Sequence, residues 1–140
     1  MPSRRVWHAS ARMSCLAIML LSGVAGLLDW DEITVARGTW QVLVALSEVV
    51  YGVAGVLGAI EFWRGQIRAR SLATLWAAGA LVAAAVAPRA YDASAAWSAD
   101  LLSGIGTALV VIPVAWYVRH AISSRARTAE GDIHDGPAVA

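Results

Sequence analysis

The chain has no lysine, a single cysteine and few charges of either sign, and each scarcity removes a class of explanation. A lone Cys15 excludes an intramolecular disulfide and CxxC redox chemistry, and it reads as a buried spectator thiol. Charged residues make up 15% of the sequence against 59% hydrophobic ones, with a mean hydropathy of +0.61, too little charge to coat a soluble domain. No lysine, arginine or histidine falls in the interior of any long apolar run. Nothing has metal-ligand spacing, and no Ser–His–Asp arrangement or phosphate loop can be assembled. Catalytic residues, a metal and a nucleic-acid partner are therefore not expected, and no cofactor is evident.

What is present is apolar length. Sixteen residues separate Arg12 from Asp29, eighteen separate Arg70 from Arg89, and eighteen separate Asp100 from Arg119. A fourth run, from Thr39 to Phe62, is interrupted only by Glu48 and Glu61. Each approaches the ~20 residues a helix needs to cross a hydrocarbon core. None carries the polar stripe of a soluble bundle, and none alternates as an outer-membrane strand does. The expectation is an all-α integral membrane four-helix bundle over 13–120, with helices at about 13–28, 39–62, 71–87 and 101–118. A basic cytoplasmic segment, 1–12, precedes it, and a polar tail without regular structure, 121–140, follows it.

Charge sets the expected topology. Nine of the eleven arginines lie at the N-terminus, in the second loop or after the last helix, whereas Arg37 and Arg89 share the other loops with Asp29, Asp31, Glu32, Asp92 and Asp100. The positive-inside rule then places both termini in the cytoplasm. Arginine without lysine, with heavy use of Ala, Gly and Val, suggests a GC-rich bacterium, hence a multi-pass protein of the bacterial cytoplasmic (inner) membrane. Trp30, Trp40 and Trp97 would mark the outer interface and Trp7, Trp63 and Trp116 the inner one, with Trp76 about a turn and a half into the third helix; the set reads as interfacial anchoring. "SRRVW" and Gly23-Val24-Ala25 allow a rival reading in which the first helix is cleaved as a signal peptide. The apolar run continues through Leu27 and Leu28, and Arg12 stands directly against it, so the helix reads as an anchor.

One residue stands out against this background. Glu48 lies slightly outward of the midpoint of the second helix, where an acidic side chain costs roughly 2.5–3.5 kcal/mol. It shares a face about 60° wide with Gly52, Gly55, Ala59 and Phe62 at helical spacing. Small residues let helices approach closely in lipid, so this face should meet a neighbour. Ser22 and Thr107 fall at a similar depth and Tyr51 one turn deeper, which makes Glu48, Ser22, Tyr51 and Thr107 a candidate buried polar site. Two readings stand: a protonated acid joining helices, or a functional group serving a proton or cation relay, a quinone head group or a small ligand. Arg37 or Arg89 could reach toward it from the outer edge.

Further packing positions are Gly58 in the same helix, Gly23 and Gly26 in "SGVAG", and Gly104 and Gly106 in "SGIGT". Pro113 removes one backbone hydrogen bond from the fourth helix and is the expected kink. His8 and His120 fall at the inner interface, too shallow for a bis-histidine haem, and His134 lies in the tail.

Glu48 followed by Gly52 and Gly58, then by an Arg64-containing loop and an Ala/Leu-rich third helix, resembles the DoxX-like group of small four-helix bacterial membrane proteins over roughly 47–85. The resemblance carries over Glu48, Gly52 and Gly58. It implies a four-helix bundle of accessory character, with quinone as the cofactor chemistry it suggests through partner proteins. The functional expectation is a non-catalytic accessory or partner-binding subunit, in contact with the lipid bilayer and with a membrane protein partner or further copies of itself. The alternatives are a proton-linked small-solute transporter or channel using Glu48, and a subunit of a quinone-linked redox complex.

Overall fold

The computed structural model describes residues 4–29, 32–92, 94 and 96–134. Trp30 and Asp31 of the expected outer loop, the chain ends 1–3 and 135–140, and the side chains of Arg4, Arg5, Glu32, Arg125, Arg127 and His134 lie outside what it describes. The described chain forms five helices: α1 (Arg4–Leu28), α2 (Glu32–Val35), α3 (Thr39–Arg64), α4 (Ala69–Tyr91) and α5 (Trp97–His134). Four of them, over Trp7–Leu28, Thr39–Arg64, Ala69–Tyr91 and Trp97–Ser124, are long and apolar enough to span a membrane. The shortest of these spans, 22 residues, is about 33 Å long at ~1.5 Å per residue, against a hydrocarbon core of ~30 Å.

The ends expected at Leu28 and Thr39 coincide with the observed ones, and the other helices overrun their expected limits. Hydropathy marks where a segment is apolar, whereas helical hydrogen bonding continues into any flank that tolerates it. Instead of losing regular structure from 121, the polar tail therefore extends α5 in helical backbone to His134. Its alanines, arginines and Glu130 are good helix formers. α4 likewise continues through Pro88, and α5 is helical on both sides of Pro113.

α3 stops for a visible reason. Gly65 adopts φ 74° and ψ 19°; its N–H donates to the Phe62 carbonyl at 3.1 Å, and the Gln66 N–H donates to that of Glu61 at 2.9 Å. This is a Schellman cap, and the left-handed backbone favours glycine. Gly65→Ala is expected to cost about 1–2 kcal/mol, read as a lower unfolding midpoint in detergent micelles.

The long helices alternate in direction, with α1 packed on α3, α3 on α4 and α4 on α5, while α1 and α5 touch only lightly. Arg12 of α1 donates to the Trp63 carbonyl at 2.9 Å, and the Tyr117 hydroxyl of α5 donates to the His8 carbonyl at 3.2 Å. At the opposite end Gln41 donates to the Ala90 carbonyl at 3.2 Å, and Arg89 pairs with Asp100 across α4 and α5. Arg89 thus serves the helix ends and does not reach inward to Glu48. Trp76, Phe62, Met19, Val44 and Val118 are the largest fully buried side chains, and alanine and glycine fill much of the remaining core. Large apolar side chains such as Leu21, Leu28, Leu102, Leu109 and Trp116 point outward.

The α1–α3 seam depends on glycine. A Cβ added at Gly23 would lie 2.8 Å from the Val56 nitrogen and 2.9 Å from the Gly52 oxygen; one at Gly55 would lie 2.8 Å from the Met19 oxygen and 2.9 Å from the Trp76 ring. Gly26, Gly52 and Gly58 are similarly crowded. Gly104 and Gly106 are less crowded: a Cβ at Gly104 would meet Ala85 of α4 at an ordinary 3.7 Å, and one at Gly106, where a contact was also expected, would meet nothing within 4 Å. The reason is that α5 does not join this seam; its Gly106 borders open space.

Candidate functional site

Close approach on one side of α3 and a light contact between α1 and α5 leave a gap among the helices. It forms a cavity of about 480 Å³ lined by Ser22 of α1, Glu48 and Tyr51 of α3, Trp76 of α4 and Thr107 of α5, with apolar walls between them. All four residues of the sequence-derived polar site, Glu48, Ser22, Tyr51 and Thr107, thus meet at one space, brought there by three different helices.

Each is held by its surroundings. Tyr51 is sandwiched between two glycines: a Cβ at Gly26 would lie 2.7 Å from its ring, and one at Gly79 would lie 2.9 Å from its Cβ. Larger residues at either position would displace the phenol from the cavity wall. Ser22 accepts a hydrogen bond from the Trp76 indole N–H at 3.0 Å and donates to the Met19 carbonyl at 3.3 Å, which fixes its hydroxyl. Glu48 is half-buried, one turn before Gly52, whose lack of a side chain lets α1 lie close beside the acid. Thr107 stands on the α5 wall next to Gly106.

Two contributors were not foreseen. Trp76 is 1% exposed and belongs to the cavity and core, unlike Trp7, Trp40, Trp63, Trp97 and Trp116, which are exposed. It is therefore no interfacial anchor; its position well inside the third apolar run was the available signal. Gly79 was overlooked because it stands alone in an alanine-rich helix. Nor were the alanines of the α4 wall singled out, although Ala80, Ala83, Ala84 and Ala87 recur at helical spacing and all line the cavity.

The arrangement offers one carboxyl, one phenol and two hydroxyls on an apolar surface, with a volume in the ~300–1,000 Å³ range of small-molecule sites. It can orient a polar head group while alanine walls cover an apolar body. Among the described residues no three His, Cys, Asp or Glu side chains come together as metal ligands, and Cys15 is buried in the core. Comparison with family models, curated proteins and solved structures finds no match to this chain.

Proposed function

We propose that this protein is a multi-pass four-helix bundle of the bacterial cytoplasmic membrane, termini inward, acting as a non-catalytic accessory subunit that holds a small amphipathic molecule against Glu48. The membrane reading is supported by the four long apolar helices and by their exposed leucines and tryptophans, which acyl chains would cover. The arginine bias supports the orientation.

The observation that carries the ligand reading is the convergence of Glu48, Ser22, Tyr51 and Thr107 on one cavity. A ligand suited to this space has a small hydrogen-bonding head and an apolar body. An isoprenoid quinone, the chemistry that the DoxX-like resemblance implies, is one molecule of that class.

The test is organic extraction of purified protein followed by mass spectrometry. Wild type is expected to carry a near-stoichiometric small molecule, retained about tenfold less by Glu48→Gln, as loss of one charge-assisted hydrogen bond would produce. No bound molecule in either form would overturn the ligand reading, and turnover of a substrate by the isolated protein would overturn the non-catalytic one. The proton-linked transport reading is favoured by the same placement of Glu48 on a cavity wall. It requires proton flux in proteoliposomes that Glu48→Gln abolishes, and equal flux in both would remove it.

A further inference from the structure

At the end of the molecule where α1 begins and α3 finishes, a second cavity, of about 400 Å³, lies between α1, α3 and α5. Among the described residues its lining includes Arg12, His8, His120, Phe62, Tyr117 and Ser124, and no acidic side chain. We propose that it is an anion site that binds a phosphate group, with Arg12 as the principal ligand and His8 and His120 as flanking donors.

The Arg12 guanidinium is half-buried and lies 5.6 Å from the centroid of the Phe62 ring and 5.7 Å from that of Trp63. One terminal nitrogen donates to the Trp63 carbonyl at 2.9 Å and weakly to that of Phe62 at 3.5 Å. These carbonyls close the C-terminal end of α3, which carries only about half a negative charge. No carboxylate of the described residues pairs with Arg12, so positive charge remains. Its buried Nε–H has no hydrogen-bond partner, so the side chain is incompletely satisfied where it stands.

A phosphate at the terminal nitrogens would balance that charge. Guanidinium matches phosphate in charge and in the spacing of its N–H groups. The imidazoles of His8 and His120 reach the same cavity from α1 and α5 and can donate to further oxygens. The Tyr117 hydroxyl is spent on the His8 carbonyl, at 3.2 Å, and so joins α1 to α5 beside the cavity. His120 stacks on Trp116 at 5.3 Å, which fixes the plane of its ring.

Such a phosphate could belong to a lipid head group or be free in solution, and the experiment separates the two. Native mass spectrometry counts lipid adducts on protein in micelles offered equal phosphatidylglycerol and diacylglycerol, which has no phosphate, while a parallel sample is titrated with inorganic phosphate and read by thermal shift. Binding is expected in one arm: preferential phosphatidylglycerol adducts identify a lipid head group, and a phosphate-dependent shift identifies the free anion. In that arm Arg12→Gln is expected to bind about tenfold more weakly, and His120→Ala to bind several-fold more weakly. His120 is exposed, so its variant should fold and decide the matter if Arg12→Gln does not. Equal adducts of both lipids with no response to phosphate, or affinities unchanged in His120→Ala and in folded Arg12→Gln, would overturn the proposal.

Discussion

Trp76→Ala is expected to destabilise the protein by about 3–5 kcal/mol, the cost of deleting a large buried aromatic side chain. Trp76 is 1% exposed and fills the space between α1, α3 and α4 beside the Glu48 cavity. Its removal would merge a new void with that cavity and leave Ser22 without its indole donor. Trp76→Phe separates the two contributions: most of the volume remains and one hydrogen bond is lost, at a net cost of about 0.5–1.5 kcal/mol from that bond. Both values are measurable by titrating folded protein in mild detergent with sodium dodecyl sulfate and following circular dichroism. A loss below about 1 kcal/mol for the alanine variant would contradict the core position described here.

Gly23→Val is expected to cost about 3 kcal/mol, at the upper end of overpacking penalties. Even the first added carbon would meet the backbone of α3 at 2.8 Å. Backbone cannot swing aside, so α1 must move outward and loosen the wall that carries Ser22. Gly58→Ala should be milder, although its added carbon would lie 2.6 Å from an atom, because that atom is the terminal methyl of Met19. Gly106→Ala is the control. It meets nothing within 4 Å and replaces a poor helix former, so no loss of stability is expected. The same detergent titration ranks all three variants, and a Gly106→Ala loss as large as that of Gly23→Val would refute the assignment of the seam to α1 and α3.

Much of the candidate site could be reached by counting along the chain. Ser22, Glu48 and Thr107 share a depth because each lies in an apolar run whose limits are marked by charged residues. Tyr51 follows one turn from Glu48. Trp76 was grouped with the interfacial tryptophans because residue type and approximate depth do not say which way a ring faces. Arg12 was equally ambiguous: its position beside an apolar run suits a topology marker, and only its contact with the Phe62 and Trp63 carbonyls shows it closing the end of α3.

The number of membrane-length helices and their apolar character were determined by the sequence alone, because these are properties of consecutive residues and need no knowledge of neighbours; the short α2 and the full helix lengths were not. Tertiary structure decided which glycines matter. Gly23, Gly79 and Gly106 have similarly apolar surroundings in the chain, yet one sits against backbone, one against Tyr51 and one beside open space. The cavity belongs to the same class of fact. It exists because α1 and α4 close on α3 while α5 packs mainly on α4, and the space left between α1 and α5 depends on distances between segments far apart in sequence.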